Sequence, residues 1–239
     1  MQGDSVKFQR TSANGEENYP GSVTILVEYK LVGSALEIKY NAELLASPPT
    51  LSTIINLTNH TYFNLHGTPK LVLDHVAHFP RSSRVLDVDS TMIPTGILTD
   101  VSQTPFDFTV PEPIGSRISR CPDFAKGYDN CFVVDPGSDS TSPTAIVTCP
   151  ETGLRLTMYT TEPAFQFYTG NFLDGSINAK ATQDSPGIKR QTCEKHSGFC
   201  LEAGRFVDAV NRPEWRDMVV LKQGEVYRQQ TRYEFDTVN

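Results

Sequence analysis

The sequence predicts an all-β chain on three observations. Apolar and polar side chains alternate with a two-residue period in several segments, and no stretch of about 12 residues sustains a 3.6-residue apolar repeat. In addition, 16 Gly and 16 Pro divide the chain at short intervals. Val23, Ile25, Val27 and Tyr29 alternate with Thr24, Leu26, Glu28 and Lys30. After the turn signal Gly33-Ser34, Leu36, Ile38 and Tyr40 alternate with Glu37 and Lys39, which makes a strand hairpin. Residues 145–149 and 154–159 alternate in the same way around Pro150-Glu151-Thr152-Gly153. Residues 219–221 and 226–235 flank Lys222-Gln223-Gly224-Glu225 and read as another clear hairpin, with Tyr227, Thr231, Tyr233 and Phe235 on one face. Residues 81–121, rich in Pro, Ser and Thr, and residues 175–194, polar throughout, read as long loops of the kind that carry function on a sheet scaffold. Strand patterning resumes on both sides of each without a change in composition, so residues 1–239 read as a single domain, long enough for a sizeable core.

Composition narrows the function. The chain has 21 Lys+Arg against 28 Asp+Glu, a net charge of −7 and a pI near 5.2. Neutralising a phosphate backbone requires clustered cations, so nucleic acid is not the expected partner. Mean hydropathy is −0.32, and no run of about 18 apolar residues is available to span a bilayer, so no membrane partner is expected. Residues 1–8 lack the apolar stretch of a secretory signal, which predicts a cytoplasmic location. The five cysteines, at 121, 131, 149, 193 and 200, show no CxxC spacing and read as free thiols. The triplets Asn56-Leu57-Thr58 and Asn59-His60-Thr61 have the form of glycosylation acceptors, which matter only in a secreted chain.

Three segments concentrate chemistry. If residues 54–65 are extended, Asn56, Thr58, His60, Tyr62 and Asn64 share one face, and such a polar face should meet solvent or line a polar cavity. His60 is its one member that exchanges protons near neutrality. In residues 161–171, Phe165 and Phe167 oppose Gln166 and Tyr168. An amide beside an aromatic ring suits a sugar, because the amide donates to and accepts from hydroxyls while the ring meets the C–H side of a pyranose. In residues 197–204, Phe199 and Leu201 oppose Cys200 and Glu202. A carboxylate in such a strand is either exposed or a general base raised towards neutrality by partial burial. His66, His75, His78 and His196 form no HxH or HExxH pattern and read as structural. GxSxG, GxxxxGK[ST] and GxGxxG patterns are missing from the sequence, so neither a serine hydrolase nor a nucleotide cofactor is indicated.

Four ordered motifs resemble the aldose 1-epimerase (galactose mutarotase) family. They are Asn56-Leu57-Thr58-Asn59-His60-Thr61-Tyr62-Phe63-Asn64-Leu65, Gly127-Tyr128-Asp129-Asn130, the run from Gln166 to Gly175, and His196-Ser197-Gly198-Phe199-Cys200-Leu201-Glu202 followed by Asp208-Ala209-Val210-Asn211. The resemblance runs from about Phe8 to Phe235. It implies a large antiparallel β-sandwich of the supersandwich type and interconversion of the α and β anomers of aldohexoses such as galactose and glucose, with no cofactor and no metal. It also implies that Glu202 takes the proton of the anomeric hydroxyl, that His60 protonates the ring oxygen, and that Tyr62, Asp129 and Gln166 hold the sugar hydroxyls.

The family carries a front segment, with a sugar-binding arginine and a histidine in a His-Gly-Gly context, that nothing before Phe8 supplies. The expectation is therefore a sandwich shortened at its N-terminus, a monomer or weak homodimer with an exposed sheet edge. Asn130, Gly204 and Val207 stand where the family commonly has histidine, glutamine and proline. Two other readings stay open: a non-catalytic carbohydrate-binding or regulatory module of the same fold, and a hexose-6-phosphate 1-epimerase using Arg81, Arg84, Arg117 and Arg120.

Overall fold

The computed structural model describes residues 4–46, 51–136, 141–178, 180 and 192–238. Fifteen strands are described among them, joined by turns and three-residue 3₁₀ segments. The strands are β1 (Ser5–Ser12), β2 (Val23–Val32), β3 (Ala35–Leu44), β4 (Ser52–Ile54), β5 (Val76–His78), β6 (Arg84–Val88), β7 (Pro94–Asp100) and β8 (Glu112–Pro113). They continue with β9 (Asp129–Val133), β10 (Ala145–Thr148), β11 (Leu154–Thr160), β12 (Ala164–Tyr168), β13 (Cys200–Gly204), β14 (Val220–Lys222) and β15 (Val226–Thr237). An eight-stranded antiparallel sheet runs β1-β2-β3-β15-β11-β10-β5-β8, and a five-stranded one runs β13-β12-β9-β6-β7. The predicted all-β class and large antiparallel architecture hold.

Local alternation located the hairpins β2–β3 and β10–β11, whose registers pair Val27 with Tyr40 and Val147 with Leu156. It misled at the C-terminus. β14 and β15 do not form a hairpin: β14 pairs with β4 in a two-stranded sheet, while both edges of β15 are taken by β3 and β11. A strand of 12 residues finds more ladder partners in the middle of a wide sheet than against the three residues of β14. The expected loop at 81–121 is also corrected, since it contains β6, β7 and β8. Most of the other expected loop, 175–194, lies outside the described residues.

The core joins both sheets. Ile38, Leu156, Met158 and Tyr233 of the large sheet cluster with Phe132, Phe165, Phe167 and Leu201 of the small one. Phe79 sits at its centre, with ring centroids 5.0–5.1 Å from those of Phe108, Phe132, Phe165 and Phe167. Each such fully buried ring contributes roughly 1.5–3 kcal/mol of transfer free energy. The opposite face of the small sheet is divided. Cys131, Val133 and Ala164 are covered by Phe206, Ala209, Trp215 and Val219 in a second apolar cluster. The rest of that face carries the polar residues.

Candidate active site

The five-stranded sheet places its polar residues by register. In β12, Gln166 lies opposite Glu202 of β13 and Cys131 of β9, and Tyr168 lies opposite Cys200 and Asp129. Alternation therefore puts Asp129, Gln166, Tyr168, Cys200 and Glu202 on one face and Asn130, Phe132, Phe165, Phe167 and Leu201 on the core side. Gln166 Nε2 donates to Asp129 Oδ1 at 2.6 Å, a bond that fixes both side chains. A hollow of about 190 Å³ adjoins them, lined also by Leu86, Met92, Pro94 and Val207. Gly127 gives Tyr128-Asp129 their entry into β9. Its φ is +151°, and a Cβ there would stand 2.2 Å from Asn171 Oδ1. Asn171 cannot yield easily, because its Nδ2 donates to the Tyr128 carbonyl at 2.8 Å.

His60 reaches this face from a different element. Residues 55–62 are not the regular strand that alternation suggests but an arch, tied down at both ends. Asn56 exchanges two hydrogen bonds with the backbone of Arg205, and Phe63 exchanges two with Phe199. The arch breaks the expected single polar face, because Asn56 and Asn64 are spent on backbone groups; Asn59, of the opposite parity, is buried. His60 and Tyr62 remain together, their rings stacked with centroids 5.0 Å apart, and Tyr168 meets both edge-on. His60 Nε2 stands 3.6 Å from Glu202 Oε1, and its Nδ1 lies 3.5 Å from Cys200 Sγ. The imidazole is half-exposed at 53%, whereas the Glu202 side chain is 13% exposed. Every residue expected to act (Glu202, His60, Tyr62, Asp129 and Gln166) therefore lies in one contiguous region.

The electrostatics suit proton transfer. Burial raises the Glu202 carboxyl above the ordinary carboxylate range, the Asp129 charge pushes it further, and His60 opposes the rise. Asp129 is likewise raised by burial, against the lowering effect of the Gln166 amide. A carboxylate of raised pKa is a stronger base.

Residues far away in sequence hold this pair in place. Alternate carbonyls along β13 and its two flanking residues, on the edge away from β12, are matched: Phe199 to the Phe63 N–H, Leu201 to the Tyr233 hydroxyl at 2.7 Å, Ala203 to Gln229 Nε2 at 2.8 Å, and Arg205 to Asn56. Tyr233 also accepts from Asn59 Nδ2 at 3.0 Å. In a parallel relay, the Leu57 N–H donates to the Tyr227 hydroxyl, which donates to Gln229 Oε1. β15 thus bolts the arch carrying His60 to the strand carrying Glu202 on both sides of Glu202. Sequence reasoning did not find Asn59, Tyr227, Gln229 or Tyr233. Asn59 stood beside His60 in the motif, but nothing local links it to a tyrosine 174 positions away.

Three of the remaining histidines, His66, His75 and His196, have structural partners. His75 Nε2 accepts the Leu65 N–H, His66 Nε2 meets Asp74 Oδ1 at 2.9 Å, and His196 Nδ1 donates to the Thr169 carbonyl. The arginines considered for a phosphate are also engaged. Arg117 donates to the Asp107 carbonyl, Arg120 to the Gln103 carbonyl and Arg81 to the Ser142 carbonyl, and Arg84 pairs with Asp135. All five cysteines are free. Among the described residues, no helix is long and apolar enough to cross a membrane.

Fold and site together define an antiparallel β protein with a buried carboxylate facing an imidazole beside an amide–carboxylate–tyrosine surface, the equipment of an acid–base site for a small polar molecule. The aldose 1-epimerase family model matches residues 1–234. The chain is 37% identical to the galactose mutarotase of Rattus norvegicus over 97% of its own length and 63% of the relative's. It is 38% identical to that of Homo sapiens over the same shares, and 33% identical to the aldose 1-epimerase of Escherichia coli over 96% and 63%. A solved GalM/aldose epimerase homologue from C. elegans superposes with a TM-score of 0.80 at 26% identity, covering 99% of this chain and 66% of that one. The galactose 1-epimerase of Lactobacillus acidophilus, at 22% identity and a TM-score of 0.78, shares the fold. The chain belongs to the aldose 1-epimerase family. It spans about 63% of the length of the curated relatives named here.

Proposed function

We propose that the chain interconverts the α and β anomers of aldohexoses such as galactose and glucose by general acid–base ring opening. The observation that carries this reading is the approach of His60 Nε2 to Glu202 Oε1 at 3.6 Å, on the face where Gln166 and Asp129 are joined. Glu202 takes the proton of the anomeric hydroxyl as the C1–ring oxygen bond breaks, and His60 delivers a proton to the ring oxygen. The resulting aldehyde rotates about C1–C2, and the ring recloses with the two roles reversed. Asp129 accepts from sugar hydroxyls, Gln166 donates and accepts, and the exposed ring of Tyr62 offers a stacking surface and a hydroxyl. The free thiols support a reducing compartment such as the cytoplasm. A monomer or weak homodimer fits β1, an edge strand whose one ladder partner among the described residues is β2, and sedimentation velocity checks it.

Polarimetry of freshly dissolved α-galactose and α-glucose tests the activity. Micromolar protein should speed relaxation well beyond the buffer rate, and Glu202→Gln or His60→Asn should each lower kcat by roughly 10²–10⁴-fold, the usual worth of a positioned acid or base. Relaxation at the buffer rate, or an unchanged rate in Glu202→Gln, overturns the reading. Calorimetric binding of hexoses without acceleration would instead indicate a carbohydrate-binding module.

A further inference from the structure

Cys200 has no part in the proposed proton transfers, yet its sulfur is buried on the site face two residues from Glu202 and 3.5 Å from His60 Nδ1. One donor atom each from His60, Cys200 and Glu202 lies within 4.8 Å of the other two. We propose that these three side chains form a binding site for a soft divalent cation, zinc above all, that closes the sugar site by occupying its acid and base.

The donor set is nitrogen, sulfur and carboxylate oxygen, the combination that selects zinc over magnesium or calcium. Zinc bond lengths of about 2.0–2.3 Å in a tetrahedral arrangement place neighbouring donor atoms roughly 3.3–3.6 Å apart. The observed separations, 3.5 Å for Nδ1 to sulfur and 3.6 Å for Nε2 to carboxylate, already lie on that scale. A single ion uses one ring nitrogen, so His60 must turn its ring modestly. The half-exposed imidazole can make that turn by sliding against Tyr62 and Tyr168 on its solvent side, whereas the backbones of Cys200 and Glu202 are fixed by the β12 ladder. Three protein donors leave the fourth position for water or a sugar hydroxyl. The other buried histidine–cysteine group, His66, His75 and Cys149, is a poorer site. Its His75 already uses Nε2 on the Leu65 N–H and Nδ1 on Asp74, and His66 Nε2 is also held by Asp74. The regulatory consequence rests on the proposed acid–base reading; the metal site itself does not.

The test titrates the EDTA-treated chain with cobalt(II) and with zinc alone. Cobalt should give a thiolate charge-transfer band and tetrahedral visible bands at one equivalent, and zinc should bleach them. Cys200→Ala should abolish the thiolate band and weaken zinc binding at least 10-fold in calorimetry, whereas Cys149→Ala should leave both intact. In polarimetry, zinc should slow mutarotation reversibly, galactose should oppose it, and Cys200→Ala should be resistant. No thiolate band, or a band lost in Cys149→Ala and kept in Cys200→Ala, overturns the site. Because the band needs no turnover, a Cys200-dependent band in a chain without mutarotase activity would support the site while refuting the acid–base reading. Mutarotation unaffected by bound zinc would overturn the regulatory consequence.

Discussion

Tyr233→Phe removes one oxygen atom from the interior and cuts the bolt between arch and strand. The Tyr233 side chain is buried at 1% exposure, and its hydroxyl accepts from Asn59 Nδ2 at 3.0 Å while donating to the Leu201 carbonyl at 2.7 Å. Phenylalanine fills the same ring volume, so the loss is polar rather than a cavity. It strands two buried groups, the Leu201 carbonyl and the Asn59 amide, at about 1–3 kcal/mol each before local relaxation. A net cost of about 2–4 kcal/mol follows, which in a protein of this size lowers Tm by roughly 5–15 °C. Asn59 is the neighbour of His60 and Leu201 the neighbour of Glu202, so the same change loosens acid against base. A displacement of that kind can cost up to about 100-fold in turnover. Thermal unfolding followed by circular dichroism and polarimetric kcat, measured together, check this. Tyr159→Phe on the adjacent strand β11 serves as the control, expected to stay within about 0.5 kcal/mol of wild type. A Tm within 1–2 °C of wild type would refute the energetic argument by roughly the conversion just used. A large Tm loss with unchanged kcat would refute the link between the relay and the acid–base pair.

Gly127→Ala sets a Cβ 2.2 Å from Asn171 Oδ1 in a backbone conformation that L residues avoid, so the variant should lose at least about 3 kcal/mol in urea unfolding or fail to accumulate in soluble form. Gln166→Ala removes the amide that holds Asp129 and should raise KM about 10-fold with little change in kcat, in initial-rate polarimetry. Burial lowers the His75 pKa below its unfolded value near 6.5, against the raising effect of Asp74. Between the two values the unfolded chain binds more protons, so the stability this histidine contributes is present above pH 6.5 and is lost as pH falls towards the folded value. Urea midpoints at pH 7.5 and 5.5 should therefore diverge in wild type and diverge less in His75→Gln, and an unchanged difference would refute the assignment.

What could be read from sequence was what period and motif encode. The alternation of Gln166 and Tyr168 with Phe165 and Phe167 assigned both faces of β12, and the same rule assigned Cys200 and Glu202 opposite Leu201. It failed in residues 55–62, where alternation persists but the chain arches between two pairs of backbone anchors, and Asn56 and Asn64 turn to backbone groups instead of completing the polar face. It failed again at β14, because nothing in a hairpin-like pattern reveals that the longer strand is claimed on both edges by partners far away in sequence. Long-range pairing also hid the second rank of the site. Tyr233 and Gln229 sit on the strand face recognised as apolar and aromatic, yet the hydroxyl and amide at their tips bind the segments that carry His60 and Glu202.

The placement of His60 and Glu202 on different elements follows from the chemistry proposed. The anomeric oxygen and the ring oxygen are both bonded to C1, so a base for one and an acid for the other must converge on a single carbon from two directions. Two residues of one strand face lie side by side and point the same way, so they cannot supply that convergence. An edge strand with an arch folded over it can: β13 presents Glu202 outward, and the arch returns His60 above it. The geometry then demands that the open edge of β13 be closed by something other than another strand, since a ladder partner there would occupy the space of the arch. Side chains from β15 and the backbone at Phe63 satisfy the edge carbonyls instead. That arrangement keeps the base on a rigid ladder and leaves the acid on the less regular element. Tightening the arch should therefore act through His60 on kcat, and leave the proposed hydroxyl-binding pair Gln166 and Asp129, one and two strands further in, to set KM.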